Sequence, residues 1–155
     1  MPILRTGRRA VLCFIVFLTC FCARPEAYAA TLDSLSGGQV SLDQYKGSRP
    51  VLLFFWTTWC PYCRDEIKHL NKISEELKDE GIAPFAVNIG ESSYKVNRFF
   101  KDYALKISVL LDKDGYFSES QDIAGVPTYI MFDKNGREIF RDNVFPKEFK
   151  SLIVK

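Results

Sequence analysis

The sequence predicts an α/β domain, and three observations carry that prediction. Val51–Trp56 and Ala83–Ile89 are continuous apolar runs of strand length, the pattern of strands covered on both faces of a central sheet. Between them, Ile67, Leu70, Ile73 and Leu77 recur at helical spacing, so a crossover helix joins the strands into a βαβ unit. Downstream, Asp133-Lys134-Asn135-Gly136 is a hairpin turn between two short strands, and Pro146 opens a last helix, which closes the order with ββα.

The 155 residues, 47% hydrophobic and 26% charged, are one domain's worth of ordinary globular composition. The first 29 residues stand apart. Arg5, Arg8 and Arg9 precede a 14-residue apolar run, Ala10 to Ala23, and Ala27-Tyr28-Ala29 supplies a small-x-small cleavage signal. Residues 1–29 are therefore expected to be a secretory signal peptide, with an uncleaved anchor or lipidation at Cys20 or Cys22 as alternatives. The run is short for a membrane span, which needs about 20 residues. Residues 30–155 then form the domain, with 17 basic and 18 acidic side chains. That balance offers no nucleic-acid footprint. Cys13, Cys20 and Cys22 leave with the leader, and Cys60 and Cys63 remain as the only cysteines.

Taken in order, Ser36-Gly37-Gly38 followed by alternating Val40 and Leu42 suggests a short hairpin and a one-turn segment near Tyr45. Val51 to Trp56 is the first buried strand. Pro61 suits the first helical position, Asp65 and Glu66 complement the positive helix end, and Gly81 stops the helix. After the strand Ala83 to Ile89, Ser92 or Ser93 caps a helix with Val96, Phe99, Phe100 and Tyr103 on one apolar face. A short strand from Ser108 to Leu111, a helical segment around Phe117 to Ile123, strands Thr128 to Phe132 and Arg137 to Phe140, and a helix carrying Phe149, Leu152 and Ile153 complete the chain.

The chemistry concentrates in Trp59-Cys60-Pro61-Tyr62-Cys63-Arg64, where an apolar strand delivers two thiols to a helix start. Cysteines separated by two intervening residues on a first helical turn can close a disulfide, and the unpaired amides there favour the thiolate that performs exchange. A zinc site needs about four ligands, and the domain offers only His69 besides the pair. Covalent haem attachment needs a histidine after the second cysteine, and Arg64 stands there. No metal is expected, and no cofactor beyond the redox-active Cys60–Cys63 pair.

A lone Cys-x-x-Cys is a weak signal. Here it is flanked by Trp56 and Trp59, followed by Glu66, by Ala86-Val87-Asn88-Ile89-Gly90-Glu91, and by Val126-Pro127-Thr128, with Pro127 64 residues after Cys63. In these residues the chain resembles the thioredoxin superfamily, and within it the TlpA/ResA/DsbE-like branch of exported thiol-disulfide oxidoreductases. The resemblance covers nearly all of residues 30–155. It implies a thioredoxin fold: a central mixed sheet flanked by helices, with an N-terminal β-hairpin extension and a βα insertion before the cis-proline strand.

The resemblance also implies roles. Cys60 becomes the solvent-facing nucleophile and Cys63 the shielded resolving thiol. Pro127 becomes the cis-proline that lets Val126 present its backbone to an extended substrate, with Trp59, Pro61 and Tyr62 as further substrate contacts. Glu66, three residues after Cys63 and so on the same helix face, becomes the group that manages the thiol proton; otherwise it merely complements the helix dipole. Six residues before Cys60, where cytosolic thioredoxins carry a buried aspartate, stands Phe54. The substrates implied are disulfide-bearing exported proteins, apocytochrome c among them, with a membrane thiol electron donor. The location implied is outside the cytoplasmic membrane, with membrane contact only through residues 1–29 if these are retained. An oxidase or isomerase of secreted proteins is the first alternative. A copper-handling protein using Cys60, Cys63 and a remote histidine or methionine is the second.

Overall fold

The computed structural model describes residues 28–153; the expected signal peptide lies, up to Ala27, outside the described residues. The elements are β1 (Thr31–Ser34), β2 (Gln39–Ser41), a 3₁₀ turn (Leu42–Tyr45), β3 (Val51–Trp56), α1 (Pro61–Asp79), β4 (Ala83–Ile89), α2 (Ser93–Phe99), β5 (Ser108–Asp112), α3 (Tyr116–Ser120), β6 (Thr128–Phe132), β7 (Glu138–Asp142) and α4 (Phe149–Ile153). They build one seven-stranded mixed sheet in the order β2-β1-β5-β4-β3-β6-β7. The β1–β2 hairpin does not stand apart: Asp33 and Ser34 pair antiparallel with Leu111 and Leu110 of β5, so it extends the central sheet.

Strand β3 is apolar throughout because both its faces are covered. Leu52, Phe54 and Trp56 pack with Ile67, Leu70 and Leu77 of α1, Val96 of α2 and Phe149 of α4. Val51, Leu53 and Phe55 face the other way, onto Leu42, Phe85, Phe117 and Phe132. Each such side chain, fully buried, contributes about 1.5–3 kcal/mol. Helix α1 ends where the chain reaches Gly81 at φ +78°, a left-handed conformation that a Cβ would penalise.

Strands β3, β4 and β5 are parallel, and β7 runs the same way because β3–β6 and β6–β7 are each antiparallel. Their carboxyl ends therefore meet at one end of the sheet, where open α/β sheets place their sites. The loop from Thr57 to Cys60, the turn at Gly90-Glu91 and the segment entering β6 at Val126-Pro127 all lie there.

Three expected elements differ. Helix α2 closes at Phe99, and Tyr103 lies beyond it on a turn in which its N–H donates to the Phe100 carbonyl at 2.8 Å. The aromatic cluster survives through that turn, with Tyr103 stacked on Phe99 at 6.2 Å. Strand β7 starts at Glu138 because Arg137 is held by the turn: its N–H and Nε both donate to the Asp133 carboxylate. Helix α3 is earlier and shorter than the Phe117–Ile123 reading, because buried Asp112 accepts from the N–H groups of Phe117 and Ser118 and fixes its start.

Candidate active site

Strand β3 ends at Trp56, and four residues later Cys60 caps α1 in an extended conformation, with φ −75° and ψ 115°. Its Sγ accepts the Cys63 N–H at 3.2 Å. Pro61 follows as the first helical residue, where its missing N–H costs nothing. Cys60 and Cys63 are joined in a disulfide with Cα atoms 5.3 Å apart, within the span a bridge requires. Contrary to the solvent-facing expectation for Cys60, both are buried, Cys60 at 3% exposure. In the disulfide, Cys60 Sγ is turned towards the Val126 carbonyl, 3.8 Å away, and both cysteines belong to the cluster around Trp56 and Ile67.

The Val126–Pro127 peptide bond is cis. This loop is anchored at both ends: Thr128 Oγ1 donates to the Gly125 carbonyl at 2.7 Å, and Asn143 Nδ2 donates to the Pro127 carbonyl at 2.6 Å. Val126 and Pro127 are half-buried, and so part of their surface faces outward beside the disulfide. Trp59 and Tyr62 flank the cysteines with 64% and 78% exposure, large apolar surfaces left open next to a reactive bond. Trp56 is the opposite case, fully buried against Phe99 and Phe100.

Glu66 does not simply sit at the helix terminus. The buried Tyr129 of β6 donates its O–H to Glu66 Oε2 at 2.5 Å. Burial, then the hydrogen bond to Glu66 and its charge, push the Tyr129 phenol far above its ordinary value. Tyr129 remains a donor at any working pH. Phe54 lies opposite Tyr129 in the β3–β6 register, its ring 4.7 Å from the Tyr129 ring, so no acid occupies that strand position. Sequence reading missed Tyr129, which the sequence offers only as a residue of the strand Thr128–Phe132, because its contact with Glu66 arises from the pairing of β6 with β3. His69 packs edge-on against Phe145 at 5.2 Å. Among the described residues, no group of three or more His, Cys, Asp or Glu side chains could hold a metal ion.

A second carboxylate lies on the other side of the cysteine loop. Glu91, 6% exposed, receives the Thr58 N–H and Asn88 Nδ2 on Oε2, and the Thr58 hydroxyl on Oε1, each at 2.7 Å. Lys95 Nζ reaches Oε1 at 2.6 Å. Burial opposes ionisation of Glu91, but the bonds from Lys95, Asn88 and Thr58 outweigh it and hold the carboxyl below the ordinary range. Sequence reading placed Glu91 only in a motif; its contact with Thr58, 33 residues away, is visible only once β3 and β4 are parallel neighbours.

Residues 24–152 match the Redoxin family. The chain is similar to the thiol-disulfide oxidoreductase ResA of Bacillus thuringiensis subsp. konkukian, 32% identical over 114 residues that cover 74% of this chain and 65% of the relative. Similarity to ResA of Bacillus subtilis is also 32%, over 108 residues, 70% of this chain and 60% of the relative. The chain thus spans under two-thirds of the length of these curated relatives. Among solved structures, the thioredoxin domain of a thiol-disulfide oxidoreductase from Bacteroides vulgatus superposes with a TM-score of 0.68 at 27% identity, covering 81% of this chain and 90% of that one.

Proposed function

The chain belongs to the Redoxin family and has the thioredoxin fold of the TlpA/ResA/DsbE-like branch, and from that premise we propose that it is a thiol-disulfide oxidoreductase working as a reductase of exported proteins. The observation that carries this reading is the Cys60–Cys63 disulfide at the start of α1, beside the Val126 carbonyl and the cis Pro127.

In the reduced protein, the Cys60 thiolate attacks one sulfur of a substrate disulfide. A Cys60–substrate bond forms, the substrate S–S bond breaks, and the displaced thiolate takes up a proton. Cys63 then loses its proton and attacks Cys60 Sγ, so that the second substrate thiol leaves and the Cys60–Cys63 disulfide forms. Two electrons pass from protein to substrate, and a membrane thiol donor restores the dithiol. The extended substrate lies along Val126, and Trp59, Pro61 and Tyr62 form its apolar surroundings.

Glu66 takes the proton that Cys63 must lose, held for that purpose by Tyr129 and lying one helical turn beyond the thiol. A negative carboxylate near a thiol disfavours the thiolate. Glu66→Gln should therefore lower the Cys63 pKa and leave Cys60 less changed, read by thiolate absorbance during titration. Coincident curves for wild type and variant would remove the acid-base role.

The resemblance to the branch supports apocytochrome c, reduced during cytochrome c maturation, as a substrate, and action outside the cytoplasmic membrane. Among the described residues, no helix is long and apolar enough to cross a membrane. Direction of electron flow is tested by equilibrating the Cys60–Cys63 pair with glutathione. A reductase is expected towards the thioredoxin potential of about −270 mV, whereas a value near the −120 mV or so of a strong oxidant overturns the reductase and favours the oxidase.

A further inference from the structure

We infer that Glu91 is a positioning residue for Cys60: its carboxylate clamps Thr58 and so fixes the loop that sets the nucleophile at the start of α1. The inference rests on the exchange chemistry proposed above, and adds to it a residue outside the cysteine motif.

Thr58 is held at every polar atom it owns. Its N–H and hydroxyl both donate to Glu91, and its carbonyl accepts Arg64 Nε at 3.3 Å. One side of this grip comes from α1 and the other from the turn after β4, so Thr58 cannot shift without breaking a charge-assisted bond on either side. Two residues later Cys60 must present its Sγ to the Cys63 N–H, the contact through which the helix start stabilises a thiolate. An error of about 1 Å in such a placement can cost on the order of 100-fold in rate.

The clamp is itself built. Asn88 and Lys95 fill the remaining lone pairs of Glu91, so the side chain has one available position. Asn88 Oδ1, by contrast, is buried with no hydrogen-bond partner. This gives the two simplest substitutions different meanings. In Glu91→Gln, the amide oxygen still accepts from the Thr58 N–H and Asn88 Nδ2 and the amide nitrogen donates to the Thr58 hydroxyl oxygen, so the grip on Thr58 is kept while the charge and the Lys95 contact are lost. In Glu91→Ala, the Thr58 N–H and Asn88 Nδ2 are left buried and unpaired, and the clamp is gone.

The test measures, on the reduced full-length protein, the pH dependence of Cys60 alkylation by iodoacetamide, mapped to Cys60 by mass spectrometry, together with reduction of a disulfide-bonded peptide. Glu91→Ala should raise the Cys60 pKa by about one unit, leaving about tenfold less thiolate at neutral pH. Glu91→Gln should restore most of the wild-type profile, and Thr58→Val, which deletes one clamp bond, should move it the same way as alanine but less.

The inference is overturned if Glu91→Ala lowers the pKa, as loss of a negative charge alone would do. It is equally overturned if thermal stability falls while the profile stays, or if glutamine is as impaired as alanine. Should Glu91→Ala fail to fold, an unshifted Thr58→Val profile overturns it. A wild-type protein that alkylates normally but never reduces the peptide overturns the oxidoreductase reading instead, and the alkylation profiles still decide the role of Glu91.

Discussion

If the proposed function holds, Cys60→Ser is expected to reduce thiol-disulfide exchange to the uncatalysed background, a loss on the order of 10³-fold or more. Exchange requires a sulfur that can form a bond to the substrate, and a serine hydroxyl neither ionises at neutral pH nor makes that bond. Cys63 cannot stand in, because it is fully buried one turn inside α1. The fold itself should survive. The bridge closes a loop of only two intervening residues, so its chain-entropy contribution is small compared with long-loop disulfides. Turnover of a disulfide-bonded peptide, set against an unchanged circular dichroism spectrum, checks both halves of this expectation.

Trp56→Ala is expected to destabilise the domain by about 3–5 kcal/mol, the range for deleting a large buried aromatic side chain. Trp56 is fully buried, and its ring lies 5.2 Å from Phe99 and 5.3 Å from Phe100. Removing it opens a cavity between β3 and α2, directly under the loop that carries Thr58 and Cys60. Against a typical total of about 5–15 kcal/mol, that loss leaves a marginal protein. Trp56→Phe should cost far less. It keeps most of the ring contact and removes an indole N–H that is buried without a partner. Urea midpoints for the two variants distinguish them, and equal midpoints would show that the Trp56 ring does not carry this packing.

The strands of the central sheet were legible because their apolar runs are continuous and bounded. Val51–Trp56, Ala83–Ile89 and Thr128–Phe132 match their expected limits, since Pro50, Gly90 and Pro127 punctuate the chain beside them. Elements bounded by side-chain hydrogen bonds were less legible. Asp112 sets the start of α3, and Asp133 withholds Arg137 from β7, but neither carboxylate reveals its partner in one dimension. The site divides in the same way. Cys60, Cys63 and Pro127 stand out by spacing and family pattern. Tyr129 reads as one more residue of an apolar strand until β3–β6 pairing brings its hydroxyl to Glu66, and Glu91 reads only as the end of a family motif until parallel pairing of β3 with β4 brings it to Thr58. Burial of Cys60 was also invisible, because it depends on the disulfide being closed against Val126.

The most direct test of the account uses Cys63→Ser, which keeps the nucleophile and removes the thiol that releases it. Mixed with a disulfide-bonded peptide and analysed by mass spectrometry without reductant, this variant should accumulate a covalent adduct of one peptide strand per protein, mapped to Cys60 and released by dithiothreitol. No adduct under conditions where the wild type reduces the peptide, or an adduct carried by a cysteine other than Cys60, would contradict the assignment of Cys60 as the attacking sulfur.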